Sequence, residues 1–483
     1  MRGLTTAALV ALATCTTLAA WAPLKTAGAQ AAQPPASRTA ALGAQRAELE
    51  RLIRRKVLRN GLEVIVVENH GVPLATIELD VKNGAFTQTK ETEGLAHVYE
   101  HMFFKANEDY PDADLFTGRA AELGAVFNGT TSEERVNYYL SVHRDSLAGA
   151  MDFLSSATMA PLFRREELEQ EKQVVIGEYD RAESNPYYEL TVQVGKKLWK
   201  DAWPRKNAIG EREAILAATP EIMRAIQKRY YVPNNSALIV TGDVRPEEVF
   251  ALAERSFGGW RRGESPFAAE PIPPIPALTA DEGVIVERPV SSVVVIMQWH
   301  GPSVGKDPQA TYAADVFSDV LNQPLSTFQK RLVDTGLWQS ILVNYYTLDQ
   351  VGPITISGET SPEKLRDALA ALEREIGRFD DPGYFTAAEL EASKRKRAVG
   401  TALGLERASG FAHTIGFWWS VASLDYYMGY VDNMARQTTA DLHRYAGTYI
   451  VGKPRITGVA LAPEARAALK LTEGELVRRG ATP

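Results

Sequence analysis

Cysteine is nearly missing: Cys15 is the single thiol in 483 residues, which excludes a disulfide framework as the source of stability. Positive charge is not in surplus either. Lys and Arg number 53 against 60 Asp and Glu, for a net charge of −7, and nothing resembles a nucleic-acid-binding surface. Histidine is scarce, with 7 in the chain, so a segment that spends two of them within five positions is informative. The chain is too long for one ordinary core and suits two domains near 200 residues each, while its 45% apolar content is ample for folding.

The amino terminus reads as an export signal. Arg2 precedes the apolar run Leu4 to Ala22, and Ala27-Gly28-Ala29 before Gln30 fits a small-x-small cleavage site. Thr5, Thr6, Thr14, Thr16 and Thr17 interrupt the run and no strong stop-transfer cluster follows, which argues against a stable membrane anchor. Thr14 before Cys15 is a poor lipoprotein site. Cleavage after residue 29 removes Cys15 together with Arg2 and Lys25, and the net charge becomes −9. The expected destination is the bacterial periplasm or the medium. There a thiol-free chain can be neither held together nor trapped by disulfides.

Residues 30–44 form a lead-in rich in Ala, Gln and Pro, read as flexible. The basic stretch Arg51 to Arg59 is expected as the solvated side of a short helix leading into the first strand. From residue 61 the pattern alternates between strand and helix. Leu62–Val67 and Leu74–Val81 read as a hairpin turning at Glu68 to Pro73. A helix carrying the segment Gly94–His101 follows, then a short helix near 114–123, strands near 126–130 and 134–142, and helices near 145–160, 165–184 and 219–229. The strand Ser236–Thr241 and a helix from Pro246 complete this unit. Five prolines between Gly263 and Thr279 predict a linker without regular structure. Beyond it Gly283–Arg288 and Ser292–Trp299 echo the first hairpin, and Ala446–Val459 echoes Tyr230–Val244. The expected organisation is therefore a first domain over 45–262, a linker over 263–279 and a homologous second domain over 280–483. The fold class is α+β: two homologous α/β domains, a duplicated unit in which an antiparallel-rich mixed sheet is flanked by helices.

The chemistry concentrates in Gly94-Leu-Ala-His-Val-Tyr-Glu-His101. At 3.6 residues per turn, His97 and His101 fall on one side of a helix within reach of one ion. Glu100 shares that side and is placed to act as general base toward a water molecule that zinc would activate. The order His-x-x-Glu-His inverts the better-known His-Glu-x-x-His and belongs to metalloprotease patterns; chance matches number roughly 0.01 in a chain of this composition. A third ligand is expected from the helix Arg165 to Arg181. There Glu171 and Glu178 lie seven apart and nearly aligned, but spacing alone leaves Glu178 undistinguished from Glu166, Glu167, Glu169 and Glu171. His300, His413 and His443 have no comparable arrangement and read as structural or exposed. Trp418-Trp419 reads as core or interface.

Several segments carry a family resemblance. Glu100-His-Met-Phe-Phe-Lys105, Phe127-Asn-Gly-Thr-Thr-Ser132 leading to Tyr138-Tyr139, Val174-Val-Ile-Gly-Glu-Tyr179, Asn185-Pro186, and Tyr231-Val-Pro-Asn-Asn-Ser236 followed by Val240-Thr-Gly-Asp243 together resemble the pitrilysin-like, or inverzincin, metallopeptidases of family M16. The nearest branch is the short-chain one related to the mitochondrial processing peptidase. The match covers most of residues 54–480 and is more specific in the first half. Val98-Tyr99 departs from the common Phe-Leu and leaves the ligands intact.

The resemblance implies Glu178 as third zinc ligand, one Zn2+ per chain, and Glu171 as an acidic group behind the ligands. It implies that Phe127, Asn128 and Gly129 form an edge strand pairing with an extended peptide substrate, with Tyr138 close by, and that the two domains make half of a clamshell. Family members that complete the site from a metal-free half carry an arginine and a tyrosine seven apart. Here Leu332 and Gln339 occupy those positions, and Arg331 is one residue off. The chain is then expected to be the catalytic subunit of a zinc endopeptidase whose homologous, zinc-free partner supplies that pair, or else a homodimer. The competing reading is a peptide-binding, chaperone-like or structural assembly protein of the same fold, without catalysis.

Overall fold

The computed structural model describes residue 47, residues 49–404 and residues 407–478. The expected signal peptide, the lead-in and Cys15 lie outside the described residues. Among the described residues eleven strands make two sheets: β1 (Ile53–Val57), β2 (Glu63–Glu68), β3 (Leu74–Val81), β4 (Val126–Thr131), β5 (Val136–His143) and β6 (Ser236–Gly242) in the first, β7 (Glu282–Glu287), β8 (Val293–His300), β9 (Ser340–Tyr345), β10 (Pro353–Thr360) and β11 (Ile456–Leu461) in the second. Six helices matter to the site and its surroundings: α1 (Leu95–Phe103), α2 (Arg165–Glu183), α3 (Tyr188–Trp199), α4 (Pro308–Leu321), α5 (Ala387–Gly404) and α6 (Ala408–Val421).

The strand orders are β1-β2-β6-β3-β5-β4 and β7-β11-β8-β10-β9. Only β2 with β6 and β7 with β11 run parallel. The two orders are the same apart from the extra β1, the structural signature of the duplication. They also correct the expected hairpins. β6 lies between β2 and β3, and β11 between β7 and β8. The segment 69–73 bridges two strand spacings, about 10 Å, without difficulty. β2 is apolar on both faces, while β3 is buried along most of its length with Ala75, Ile77, Leu79 and Val81 on one face and Thr76, Glu78 and Asp80 on the other; β6, buried along its whole length, satisfies the facing edge of each.

Two local expectations also change. Residues 53–57 within the basic stretch form β1 instead of a helix, with Ile53 buried and the next four residues exposed. Charged side chains, Arg55 paired with Glu63 among them, suit an edge strand that must not recruit further strands. In the proline-rich segment Pro266–Ala269 closes one helical turn with Pro266 at its start, where a missing N–H costs nothing. Among the described residues no helix is long and apolar enough to cross a membrane.

Each half lends a helix to the other. Leu190, Val194 and Leu198 of α3 pack on Val284, Val286, Ile456 and Ala460 of the second sheet. Phe411, Ala412, Ile415 and Trp419 of α6 pack on Ile65, Val67, Ala237 and Ile239 of the first. Gly458 permits the first contact, since a Cβ there would stand 2.3 Å from Val194 Cγ2. The halves are thus joined by apolar burial as well as by the connecting segment.

Candidate active site

α1 starts at Gly94, whose φ of +88° and a Cβ position only 2.8 Å from Gly210 Cα both require glycine. Val98, Tyr99 and Met102 fill the core, with Tyr99 stacked on Tyr231 at 4.0 Å. His97, Glu100 and His101 consequently share the opposite face. α2 packs across α1 and presents Glu178. Glu178 Oε2 lies 3.5 Å from His97 Nε2 and 3.7 Å from His101 Nε2, and the three donor atoms all lie within 4.8 Å of one another. Tetrahedral zinc with bonds of about 2.1 Å separates its donors by about 3.4 Å, so the cluster fits the ion in both chemistry and size. It is the only such group among the described residues.

Glu171 stands one layer back. Its Oε2 accepts from His101 Nδ1 at 3.1 Å and its Oε1 pairs with Lys105 Nζ at 2.7 Å. That arrangement leaves His101 Nε2 as the lone-pair donor toward the ion. Burial works against the charge on Glu171, but hydrogen bonds from His101 and Lys105 outweigh it and hold the group below the usual carboxylate range. Burial opposes charge on His101 too; the bonds to Glu171 and Glu178 prevail and raise it to about 9. His97, with Nδ1 buried and unbonded, is lowered by burial to about 4. The pocket therefore stabilises a cation while keeping one imidazole neutral for ligation.

Glu100 takes no part in the donor triangle. Burial pushes its carboxyl up to about 7, and Thr131 Oγ1 donates to its Oε2 at 2.7 Å. The other oxygen faces β4. A Cβ built on Gly129 would stand 2.9 Å from Glu100 Cγ and 3.1 Å from Oε1, so the bare backbone of this strand rests against the general-base candidate.

β4 lies at the edge of its sheet. Its register with β5 pairs Phe127, Gly129 and Thr131 with Leu140, Tyr138 and Val136, which places these three on the α1 side. Asn128 is exposed and on the other face, with its Oδ1 accepting from Gly129 N–H at 3.0 Å. Phe127 is half-buried against Phe104. Tyr138 does not face a substrate groove: it is fully buried, stacked on Phe103 at 3.6 Å and bonded to the Tyr231 hydroxyl at 2.6 Å. Its expected substrate contact is corrected to a core role, since its ring points inward from β5. Thr131 and Lys105 were not singled out from sequence. Strand alternation from Gly129 and the i, i+4 spacing from His101 were the available signals.

The second half has the same helix pair with different chemistry. Asp315 and Asp319 on α4 are four apart, like His97 and His101, and Arg397 on α5 lies 78 residues beyond Asp319, against 77 between His101 and Glu178. Arg397 Nε pairs with Asp319 at 2.7 Å and Tyr430 donates to Asp315 at 2.6 Å. A guanidinium stands where the first half gathers metal donors. Leu332 is buried, Gln339 is exposed, and Arg331 pairs with Glu375 at 3.2 Å. His300 stacks on Trp199, His413 lies in contact with the Glu78 carboxylate, and His443 bonds the Phe379 carbonyl. Trp419 donates to Glu63 at the contact between halves.

Residues 63–209 match the family described as insulinase (peptidase family M16), and residues 217–397 match the peptidase M16 inactive domain. The chain belongs to peptidase family M16. An uncharacterized zinc protease of Rickettsia felis is 25% identical over 328 residues, 67% of this chain and 77% of that protein. The mitochondrial-processing peptidase subunit beta of Dictyostelium discoideum is 22% identical, over 74% of this chain and 78% of its own length. A protease from Helicobacter pylori of known structure superposes with a TM-score of 0.75 at 21% identity, covering 85% of this chain and 99% of that one. The two mixed sheets flanked by helices are those of the half-clamshell M16 fold.

Proposed function

We propose that this M16 member is a zinc-dependent endopeptidase acting on extended or unfolded peptides. The observation that carries the proposal is the juxtaposition of the His97, His101 and Glu178 donors with a buried Glu100 and the open edge of β4. His97, His101 and Glu178 would hold the zinc, which when bound would supply a Lewis acid for the scissile carbonyl and make water easier to deprotonate. An extended peptide adds to the edge of β4 by main-chain hydrogen bonds, with Asn128 Oδ1 releasing the Gly129 amide. Glu100 accepts the proton of the attacking water at Oε1 while Thr131 holds Oε2. It then delivers that proton to the leaving amide nitrogen as the carbon–nitrogen bond breaks, so no acyl-enzyme forms.

The chain is proposed to be the catalytic member of a pair. Its own second half offers a buried Leu332 and an exposed Gln339 where a substrate-binding arginine and tyrosine are expected, and a homologous zinc-free subunit, or a second copy, would close the clamshell. Export to the periplasm or medium is proposed from residues 1–29. The test is peptide hydrolysis at one equivalent of zinc, alone and with the zinc-free homologue, with Glu100→Gln as control. Glu100→Gln should retain zinc and lose turnover. Turnover that survives the substitution refutes the role of Glu100, and zinc binding without turnover in any combination favours a binding or assembly role.

A further inference from the structure

The turn Ser132–Arg135 joins β4 to β5, and three parts of the molecule meet there: the hairpin itself, the chain leading into α1 and a loop of the metal-free half. The chain leading into α1 docks on its carbonyls: Ala85 N–H donates to Ser132 O at 3.1 Å and Phe86 N–H to Glu133 O at 2.8 Å. Gly84 permits this approach, with a φ of +145° and a Cβ position 2.5 Å from Ser132 O. The third part is the β9–β10 loop of the metal-free half. Glu134, 3% exposed, accepts from Asp349 N–H and Gln350 N–H, each at 2.7 Å. From the other side Lys206 Nζ donates to Gln350 O at 2.7 Å and Val351 O at 2.8 Å.

Two opposite charges of the first half thus hold four backbone groups on three consecutive residues of the second. The loop they hold is strained: Val351 has a φ of +64°, a conformation that a β-branched residue adopts only when its surroundings impose it. Burial pushes Glu134 up and Lys206 down from their ordinary values, and the two do not pair directly. Burying two separate charges is a costly way to join two surfaces, whereas short charge-assisted bonds fix position closely.

We infer that Glu134 is a positioning residue: it registers the metal-free half against the β4–β5 turn and so sets where β4 stands relative to Glu100 and an incoming peptide. Resting on the peptidase reading, the inference assigns the second half a part in the chemistry of the first without any residue of its own touching substrate. Glu134 reaches neither the zinc donors nor the peptide edge. Its influence runs through Thr131 and Gly129, three and five residues away on the same hairpin.

The test compares wild type with Glu134→Gln, which keeps the shape and loses one acceptor, and with Lys206→Met, which releases the loop from the other side. Zinc content, KM and kcat for an extended peptide are measured well below the unfolding midpoint, with amide hydrogen exchange over 126–143. Both variants should keep full zinc, raise KM about tenfold with kcat within about twofold, and speed exchange in β4 relative to β6. Unchanged exchange and KM overturn the inference, as does a fall in kcat that follows loss of zinc. A wild-type protein that cleaves no peptide in any combination sinks the peptidase reading itself, a result separate from a wild type that works and variants that match it.

Discussion

Gly129→Ala tests the site at its closest approach. The glycine is needed for space and not for an unusual backbone, since a Cβ there would meet Glu100 Cγ at 2.9 Å, Oε1 at 3.1 Å and the Asn137 carbonyl at 3.2 Å. Carbon atoms in good contact lie about 3.5–4.0 Å apart, so Glu100 or β4 must yield by about 0.6 Å or more. Overpacking of this kind costs about 1–3 kcal/mol of stability. Misplacement approaching 1 Å at a reacting group costs on the order of a hundredfold in rate, so kcat should fall by about 30- to 100-fold. Zinc should remain bound, because no donor atom is touched. The assay is peptide hydrolysis with zinc content measured on the same samples. Gly118→Ala is the control, as nothing lies within 4 Å of a Cβ there and a helix gains about 0.5–1 kcal/mol from the change. Full occupancy and kcat within twofold of wild type for Gly129→Ala would falsify the placement of Glu100 against β4.

Two further predictions address the metal donors and the second half. Glu171→Ala removes the acceptor that orients His101 and should weaken zinc binding by about 10- to 100-fold, read by competition with a chromogenic chelator; unchanged affinity refutes the orienting role. Asp315 is raised by burial to about 6 from an ordinary 3.8, so between about pH 4 and 6 the folded chain keeps a proton that the unfolded chain releases. Stability should therefore fall as pH rises through that window, by on the order of 3 kcal/mol. Asp315→Asn should flatten this slope in urea unfolding, and an identical slope in the variant refutes it.

The sequence by itself determined what depends on neighbours a few positions apart. His97, Glu100 and His101 share a helix face because 3.6 residues make a turn, and most strands and helices follow from apolar periodicity. The family segments carried the choice of Glu178, which helix spacing had left among five glutamates. Only the tertiary structure put Glu178 3.5 Å from His97, bonded Thr131 to Glu100, turned Tyr138 into the core, and set β6 between β2 and β3. It alone crossed α3 and α6 between the halves and brought Glu134 onto a loop 215 residues away. These features depend on how closely two backbones distant in sequence approach, and local periodicity records which side a residue faces but not what meets it there.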